Sequence, residues 1–500
     1  MAYLGIDLGT SSVKIILMDE TGKVMANLSK DYPIYYPQKN WAEQNPEDWW
    51  NSTKEGIREI ITKIGTKAGE IKGIGLSGQM HGSVLLDKEG KILMPAILWC
   101  DQRTHEECEY ITEKLGQANL TRYTGNKALP GFTAPKILWI KKYLPDVFEK
   151  VDHLLLPKDY IRYKLTGEYA TEVSDASGTL MFDVENRKWS KEITEFMGLS
   201  GDILPQCFES FEVTGKVSQK AAEETNLRQG IPVVGGGGDQ AAGAVGTGAV
   251  KSGIISVALG TSGVVFASQD TYSVDEKNRL HSFCHANGKW HVMGVMLSAA
   301  SCLKWWAEEA CKIPGKKGFD QLLSEAEKAK PASEGIIFLP YLMGERTPYP
   351  DPDARGSFIG LNITHDRGYM TRAIIEGVSF GLRDSLEIIK TLGIPVKEVR
   401  VTGGGARSKL WRQVLADIFD TNVNMINATE GPAYGAAILA AVGTGQFASV
   451  EEACDELIKV TESVEPVEEN KRKYDEVYQI YRNMYPVLNE TFHRIARLKL

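Results

Sequence analysis

The sequence predicts an α/β protein of two domains that are built on one plan. Its 500 residues are too many for one ordinary hydrophobic core. The opening segment YLGIDLGTSSVKIIL, residues 3–17, has a counterpart in IISVALGTSGVVFAS, residues 254–268. Each copy predicts a strand, a Gly-Thr-Ser turn and a second strand, and such a repeat at half the chain length indicates two similar domains. Chance similarity between two short turns is the alternative.

The first elements are predicted to be a meander of three strands and an amphipathic helix. Turn residues Asp19–Gly22 separate the second apolar run from a strand at Lys23–Ala26. Asn45 and Pro46 then suit the N-cap and the first position of a helix. Apolar side chains recur at helical spacing after them: Trp49, Trp50, Ile57 and Ile60.

Two later regions complete the predicted organisation. Gly246–Gly253 is rich in small residues and is the predicted boundary between the domains. Near the end of the chain, Pro486 is expected to kink or end a packing helix that takes no part in chemistry. One side of that helix carries apolar and aromatic residues: Tyr474, Val477, Tyr478, Tyr481, Met484 and Leu488.

The composition favours a globular protein that binds small molecules. Hydrophobic residues make up 43% of the chain, and no apolar run approaches the ~18 residues of a membrane span. The net charge of −8, without a large basic block, argues against nucleic acid as a partner. The first residues lack the pattern of a signal peptide, and the seven cysteines include no C-x-x-C pair. We therefore expect reduced thiols in a cytoplasmic protein.

The glycine run VVGGGGDQAAGAVGTG, residues 233–248, contains one acidic residue, Asp239. Its spacing Gly236-x-Gly238-x-x-Ala241 matches the dinucleotide-binding pattern, which also requires an acidic residue about twenty positions later. The corresponding window, IISVALGTSGV, has none, so this interpretation fails. No Gly-Lys pair is followed by Ser or Thr, which excludes a Walker-type phosphate loop.

Asp239 consequently has two possible roles. It is either the N-cap of a small-residue helix or a catalytic carboxylate on a turn whose glycines leave room for a substrate. A helix N-terminus lowers the pKa of an adjacent carboxylate, so Asp239 is expected to be a weak base that is fully ionised at pH 7. Such a base suits phosphoryl transfer, which requires an oriented hydroxyl more than a strong base.

Three other turns carry groups that suit nucleotide phosphates. In DLGTSSVK, residues 7–14, backbone N–H groups and hydroxyls can donate to phosphate oxygens, and Asp7 can hold Mg²⁺ directly or through water. The turn at Gly260–Gly263 offers similar donors without an acid. The turn in VRVTGGGARSKLW, residues 399–411, either lets a base or ribose lie against bare backbone or simply joins a strand to a helix. The predicted ATP contacts are Gly9, Thr10, Ser11, Ser12, Lys14, Gly260, Thr261, Ser262, Gly403, Gly404, Gly405 and Ser408.

Two helices of small residues are predicted to pack against each other. EGPAYGAAILAAVGTG, residues 430–445, resembles residues 241–248 in composition. Smooth helices of this kind can approach closely and slide, which suggests a hinge between the lobes.

The order of these motifs resembles the superfamily of actin, hexokinase and heat-shock ATPases. Within it, the chain resembles the FGGY carbohydrate kinases over nearly its whole length, through WAEQNPEDWW (41–50), GERTPYPDPDARGSFIGL (344–361) and the pair Lys136 and Trp139. The resemblance implies an α/β fold of two ribonuclease-H-like (actin-like ATPase) lobes, each a mixed sheet with flanking helices, with a cleft between them. We predict an N-terminal lobe at 1–247 with the sugar site and the base. A nucleotide-binding lobe is predicted at 248–445, with a helical extension at 446–500 packed on it.

Three segments resemble the members of that family that phosphorylate xylulose: GLSGQMHGSVLLD (75–87), LWCDQRT (98–104) and LLPKDYIRYKLTGEYATEVSDASGTLMFD (155–183). The resemblance implies ATP-dependent conversion of D-xylulose to D-xylulose 5-phosphate, with Mg²⁺. It makes Asp239 the base that takes the proton of the 5-hydroxyl, and Met80 and His81 sugar contacts. Asp7 and Asp239 would position the metal, directly or through water. Gln240, a further predicted sugar contact, stands where some of these members have Asn.

Other residues near these segments have open roles. Trp99 is either a wall of the sugar site or part of the core, and Arg103 either lies near the pocket with Asp101 or braces its loop. Glu345 and Arg346 are expected to hold a loop together. The resemblance also implies a homodimer.

Other functions compete with xylulose phosphorylation. They are a kinase for another ketopentose or a polyol, such as D-ribulose, and an actin-like ATP switch that needs no sugar. A sugar-sensing repressor would require a DNA-binding helix pair, which the sequence does not indicate.

Overall fold

The predicted meander forms the start of the first of two mixed sheets, one in each lobe. The computed structural model describes residues 1–498, without the side chains of residues 66–68. The third strand of the meander, Val24–Asp31, is longer than the predicted Lys23–Ala26. The first sheet consists of β1 (Ala2–Leu8), β2 (Ser12–Asp19), β3 (Val24–Asp31), β4 (Ile71–Gly78), β5 (Val213–Lys216), β6 (Pro232–Val234) and β7 (Gly237–Gly238). The second consists of β8 (Ile254–Leu259), β9 (Gly263–Gln269), β10 (His281–Cys284), β11 (Trp290–Met296), β12 (Glu398–Thr402), β13 (Val423–Ile426) and β14 (Val460–Val464).

The two sheets share one strand plan, as the sequence repeat predicts. The first has the order β5-β6-β4-β1-β2-β3, with β7 also paired to β4, and the second has β10-β11-β9-β8-β12-β13-β14. In each, an antiparallel meander is followed by two strands that run parallel to its first strand. The similarity between the two Gly-Thr-Ser turns therefore reflects a repeated fold and not chance.

Seventeen α-helices lie on the two sheets in the described part of the chain. The predicted N-cap is confirmed, since the Asn45 side chain accepts a hydrogen bond from the Glu47 N–H, and the four predicted apolar residues of this helix are buried. The helices are α1 (Pro46–Ile64), α2 (His105–Leu115), α3 (Gln117–Thr124), α4 (Thr133–Tyr143), α5 (Pro145–Phe148), α6 (Pro157–Thr166), α7 (Val173–Ala176), α8 (Lys191–Met197), α9 (Gln219–Thr225), α10 (Asp239–Thr247), α11 (Ala300–Trp305), α12 (Gly315–Lys328), α13 (Arg367–Thr391), α14 (Lys409–Phe419), α15 (Pro432–Gly443), α16 (Val450–Leu457) and α17 (Glu468–Ala496).

The two small-residue helices, α10 and α15, pack in direct contact. A Cβ atom on Gly435 would lie 1.8 Å from the Ala242 carbonyl oxygen, so only glycine permits this approach. Helix α15 also covers the first sheet, where a Cβ on Gly75 would lie 1.8 Å from the Ala436 carbonyl oxygen. A helix from the second half of the chain thus lies directly on the sheet of the first half.

The C-terminal segment differs from the predicted helical extension. Its strand β14 pairs antiparallel with β13 and completes the edge of the second sheet, while α16 packs on α15. Helix α17 does not end at Pro486 but continues to Ala496. Proline leaves the carbonyl of Arg482 without its helical donor, and the Tyr349 hydroxyl donates to that oxygen instead. The last two residues of the predicted extension lie outside the described residues.

Within residues 1–498, no helix is both long enough and apolar enough to cross a membrane. Five two-stranded ladders complete the strands: Glu43–Gln44 with Ala96–Ile97, Val84–Leu86 with His153–Leu155, Ala170–Glu172 with Gln206–Phe208, Phe182–Asp183 with Lys188–Trp189, and Ile337–Leu339 with Ser357–Ile359.

Candidate active site

The two predicted catalytic carboxylates meet at one edge of the first sheet. Asp7 on β1 pairs with Ser77 on β4, and Ser77 pairs with Gly237 on β7. Asp239 follows two residues later as the first residue of α10, whose N-cap is Gly238. The N-cap interpretation of Asp239 is therefore wrong, and its partly exposed side chain belongs to the first turn of the helix.

The ionisation of Asp239 also differs from the sequence prediction. Burial, and then the nearby negative charge of Asp7, raise its pKa to about 7, although the backbone and side chain of Gln240 oppose the shift. The expected lowering by the helix N-terminus is thus outweighed by desolvation and by a like charge. Burial similarly raises the pKa of Asp7 to about 6, against the effects of Ser77 and Lys14. Asp239 is a stronger base than an exposed aspartate.

Gly235 and Gly236, two of the glycines before Asp239, are required by close contacts with neighbouring backbone. Gly236 has a φ of +74°, and a Cβ there would lie 1.9 Å from the Leu76 carbonyl oxygen. A Cβ on Gly235 would lie 2.6 Å from the Glu209 carbonyl oxygen. The glycines therefore allow the turn to lie flat against β4, and the prediction that they clear space for a ligand is wrong for these two.

The first phosphate turn is held by its carbonyl groups. The Tyr32 hydroxyl donates to the Gly9 carbonyl, and Gln44 Nε2 donates to the Thr10 carbonyl at 2.8 Å. Within residues 1–498, the N–H groups of Thr10 and Ser11 make no hydrogen bond to the protein. These donors can therefore receive phosphate oxygens, as predicted for the turn as a whole, which also includes Ser12.

Lys14 has a partner that the sequence did not reveal. Its Nζ lies 2.5 Å from Glu430 Oε2, in the loop before α15. Lys14 also pairs with Asp7 across the β1–β2 ladder, so its charge lies beside the phosphate turn and links the first sheet to the second half of the chain.

The second phosphate turn borders a cavity of 650 Å³ in the second lobe. The carbonyls of this turn accept from the start of α11, with Ala300 N–H at 2.8 Å from Gly260 O and Ser301 Oγ at 2.7 Å from Thr261 O. Of the predicted ATP contacts, the cavity is lined by Gly260, Thr261, Gly404, Gly405 and Ser408. Ser262 is not among its lining residues, and Gly403 lines an adjoining cavity of 240 Å³.

The three glycines at 403–405 have different reasons to be glycine. Gly403 has a φ of +89°, and its Cβ would lie 2.5 Å from the Leu259 carbonyl oxygen. A Cβ on Gly405 would clash with the Leu259 side chain, whereas a Cβ on Gly404 would meet nothing within 4 Å. Only Gly404 is open to the cavity. Ser408 caps α14, accepting from the Trp411 N–H at 3.2 Å.

A small cavity of 140 Å³ connects the base to the second lobe. It is lined by Asp239 and Gln240 on α10 and by Thr402, Gly431 and Pro432 from the second half of the chain. Thr402 and Gly431 also line the cavity that contains Gly403 and Gly404. Asp239 therefore lines a passage that leads towards the predicted nucleotide cavity. A larger cavity of 810 Å³ lies elsewhere on the first lobe and is lined by none of the predicted site residues.

Met80 lies against Gly238, the residue before Asp239, and His81 follows Met80 in the chain. Met80 is 6% exposed, and a Cβ on Gly238 would lie 2.9 Å from its Sδ. His81 Nδ1 lies 2.6 Å from the Gly178 carbonyl oxygen, and burial lowers the pKa of His81 to about 3. The ring is therefore neutral, and because Nδ1–H donates to Gly178, Nε2 is free to accept from a hydroxyl.

Two of the segments that resemble the family hold this part of the site: the pair Lys136 and Trp139, and the segment that begins at Trp41. Lys136 Nζ donates to the His81 carbonyl at 2.8 Å, and burial lowers the pKa of Lys136 to about 7. Trp139 and Trp41 pack edge to face and both lie beside the Arg103 guanidinium, which is 3.6 Å from the Trp41 ring centre.

The structure separates the roles that were left open around this loop. The Arg103 side chain is 2% exposed and is held by Asp101 and Glu43, each at 2.7 Å. It is a loop brace and not a sugar contact. Trp99 is 40% exposed and its indole N–H donates to Thr10 Oγ1 at 3.0 Å, so it is not part of the core.

Arg346 is a candidate site residue that the sequence patterns did not indicate. Glu345 does hold its loop, since Glu345 Oε1 accepts from Leu297 N–H at 3.0 Å and from Arg346 N–H at 2.7 Å. The Arg346 guanidinium, by contrast, forms no ion pair with a carboxylate among the described residues, and burial lowers the pKa of Arg346. Its positive charge contributes to the lowered pKa of His81 and of Lys127, so it lies close enough to His81 to affect the ionisation of that ring. No sequence pattern marks this, because the two lobes meet only in the fold.

Comparisons with known proteins agree with this geometry. Models of the FGGY family of carbohydrate kinases match residues 2–246 as the N-terminal domain and 255–444 as the C-terminal domain. The xylulose kinase of Bacillus subtilis (strain 168) is 41% identical over 96% of both chains. That of Escherichia coli (strain K12) is 40% identical over 97% of this chain and 99% of its own. A crystal structure of a xyloylose kinase from Brucella ovis has a TM-score of 0.93 and 38% identity, covering 98% of this chain and 100% of the other. The chain belongs to the FGGY family of carbohydrate kinases.

Proposed function

We propose that this protein transfers the γ-phosphoryl group of ATP to the 5-hydroxyl of D-xylulose, giving D-xylulose 5-phosphate. One observation carries the proposal: Asp239 lines the passage towards the predicted nucleotide cavity, and the residue before it, Gly238, lies against Met80, which precedes the neutral His81. A sugar hydroxyl bound beside Met80 and His81 and a γ-phosphate reaching through that passage can meet at Asp239. The choice of D-xylulose as the sugar follows from the relatives at about 40% identity, which are named xylulose kinases.

The sugar is bound by groups that suit a neutral polyhydroxy ligand. His81 Nε2 accepts from one hydroxyl, and Met80 provides an apolar wall. Gln240, next to the base on α10, donates to another sugar oxygen, and Arg346 supplies a cationic donor from the second lobe. Arg103 is left out of the direct contacts because its side chain is paired with Asp101 and Glu43.

Asp239 takes the proton of the 5-hydroxyl. As the bond from O5 to the γ-phosphorus forms, the bond from that phosphorus to the β-phosphate oxygen breaks and ADP leaves. The proton moves to the Asp239 carboxylate. Its pKa of about 7 brings it close to the working pH, where a general base is most effective.

The residues present fit a magnesium ion. Asp7 Oδ1 is buried and has no hydrogen-bond partner among the described residues, and carboxylate oxygens are ligands that Mg²⁺ prefers. Asp7 and Asp239 would hold the ion directly or through water. When bound, it neutralises negative charge on the transferred phosphoryl group.

The division of labour between the lobes is part of the proposal. We assign the sugar and the base to residues 1–247, the nucleotide to residues 248–445, and structural support to residues 446–500. The glycine contacts between α10 and α15 suit a hinge, because smooth helices shift with little change in packing. Closure about this hinge would exclude water from the γ-phosphate.

We also propose that the protein works as a homodimer in the cytoplasm. All seven cysteines are free, which suits a reducing compartment. Sedimentation equilibrium over a range of concentrations tests the dimer, and a mass of one chain throughout would contradict it.

The base is tested by replacing Asp239 with Asn, which keeps the shape and removes the proton acceptor. We expect kcat for D-xylulose to fall on the order of 10³-fold. The matched control is Asp270→Asn, whose side chain forms a surface pair with Lys289 and should leave kcat unchanged. Near-normal turnover by the Asp239 variant would contradict the assignment.

A panel of sugars tests the substrate. ATP consumption is measured with D-xylulose, D-ribulose and other ketopentoses and polyols, and D-xylulose is expected to give the highest kcat/KM. A higher kcat/KM with D-ribulose would mean that D-ribulose is the substrate, with the mechanism unchanged. Sugar-independent ATP hydrolysis would favour the ATP switch.

A further inference from the structure

Five charged residues form a fully buried ion cluster behind the catalytic turn: Lys158, Asp159, Arg162, Glu172 and Asp175. Lys158 Nζ lies 2.8 Å from Asp159, 3.0 Å from Asp175 and 3.3 Å from Glu172. Arg162 pairs with Asp159 as well. Burying so many charges costs free energy that an apolar core would not, so the cluster requires an explanation beyond stability.

The cluster is bonded to both ends of the glycine turn that carries Asp239. At its start, Arg162 Nη2 donates to the Gly235 carbonyl. At its end, Ser174 Oγ accepts from the Gly238 N–H at 3.0 Å and donates to Glu172 Oε1 at 3.0 Å. The residue next along the chain is Asp239.

A third bond reaches the middle of the turn. Ser210 Oγ donates to Glu172 Oε2 at 2.7 Å, and the Ser210 carbonyl accepts from the Gly236 N–H at 2.7 Å. Glu172 thus orients two serines that hold the turn at different points. Its carboxylate also accepts from the Ser174 N–H, so each of its oxygens has partners.

The same short segment also holds the sugar contact. The Gly178 carbonyl that receives His81 Nδ1–H follows α7 directly. A Cβ on Gly178 would lie 2.7 Å from the His81 ring, so this glycine permits the approach. Residues 172–178 therefore contact both the base turn and the sugar-binding histidine.

Directional bonds explain why charges are used here. The turn consists of glycines, which have no side chains to pack and the greatest backbone freedom, so hydrogen bonds must fix it. The hydrogen bonds from Arg162 and Ser174 hold the turn in one geometry, whereas apolar packing against bare backbone would not. Asp159 Oδ2, Arg162 Nε and both Asp175 oxygens have no hydrogen-bond partner among the described residues. Burial raises the pKa of Asp175 well above its usual range, while the Lys158 ammonium beside it opposes the shift.

We propose that the ion cluster positions Asp239, with Ser174 and Arg162 as positioning residues that fix the two ends of the catalytic turn. The inference rests on the proposed function, because it assumes Asp239 as the base. It adds that the alignment of the carboxylate against the 5-hydroxyl depends on groups that touch neither substrate.

The test is Ser174→Ala, which leaves the Gly238 N–H buried without a partner. We expect kcat for D-xylulose to fall about tenfold to a hundredfold, as displacement of a reacting group by about 1 Å does. The KM values for ATP and D-xylulose should stay within about threefold, because neither the nucleotide cavity nor His81 loses a contact. A purely structural role would lower the melting temperature and leave the kcat of the folded protein intact.

The matched control is Ser268→Ala. Ser268 is equally buried, on β9, and its Oγ has no hydrogen-bond partner in the described chain, so kcat should be unchanged.

A second variant, Arg162→Lys, keeps the charge but cannot bond Asp159, Ala170 and Gly235 together, and a similar loss of kcat is expected. Folded Ser174→Ala protein with wild-type kcat would overturn the inference. Wild-type protein without activity on any sugar would instead overturn the proposed function.

Discussion

The two lobes have the same strand plan and opposite chemistry. In the first lobe, two carboxylates, Asp7 and Asp239, lie at one edge of the sheet. The buried ion cluster is hydrogen-bonded to the glycine turn that precedes Asp239. In the second, the corresponding turn at Gly260–Ser262 has no acid, Gly403 and Gly405 pack against Leu259, and Gly404 faces open space. A repeated fold thus supplies two similar frames, and the residues at the strand ends differ between them, as the proposed division between base and nucleotide requires.

The carboxylate at the end of β1 is the clearest difference between the lobes, and Asp7→Asn removes it. We expect kcat to fall on the order of 10²-fold, because the charge that balances the phosphoryl site is lost. Since Asp7 raises the pKa of Asp239, the pH of half-maximal kcat/KM should also move lower in this variant. Asp19→Asn, at the other end of the same meander, is the control and should leave both quantities unchanged.

The pH dependence of the wild-type protein tests the same pair of carboxylates. A base acts only in its ionised form, and a raised pKa keeps the proton bound until about pH 7. We therefore expect kcat/KM to fall about tenfold for each pH unit below that value. A profile that stays flat to about pH 5 would support the ionised aspartate predicted from sequence.

The comparison also shows which features are readable from sequence. The meander, the Asn45 cap and the repeated Gly-Thr-Ser turns depend on neighbours in the chain, so local patterns reveal them. The pKa of Asp239 and the partner of Lys14 depend on groups that the fold brings together, and no local pattern encodes them. The glycines mark where backbone approaches closely, but only the structure shows that Leu76, Leu259 or open space lies opposite.

Substitutions in the glycine turns give a second way to distinguish the functions of the two lobes. Gly404 has an ordinary helical backbone conformation and open space at its Cβ, so Gly404→Leu should fold normally and fill the nucleotide cavity. We expect KM for ATP to rise about tenfold, equivalent to about 1.4 kcal/mol, with KM for D-xylulose unchanged.

The matching change in the first lobe should act on stability instead. Gly236→Ala places a Cβ against the Leu76 carbonyl at positive φ and should lower the free energy of unfolding by at least about 2 kcal/mol. Urea titration and substrate kinetics on both variants distinguish the two effects. Normal stability of Gly236→Ala would contradict the backbone role of that glycine.

Arg346 is the exception to the proposed division, since it lies in the second lobe and its charge acts on His81 of the first. If its unpaired guanidinium donates to a sugar oxygen, Arg346→Gln loses a charge-assisted bond, and KM for D-xylulose should rise about fivefold to tenfold. KM for ATP should not change. The control is Arg279→Gln, whose guanidinium is already paired with Asp275 at 2.8 Å and whose loss should not affect the sugar. An unchanged KM for D-xylulose in the Arg346 variant would confine sugar recognition to the first lobe, and the separation between the two frames would then be complete.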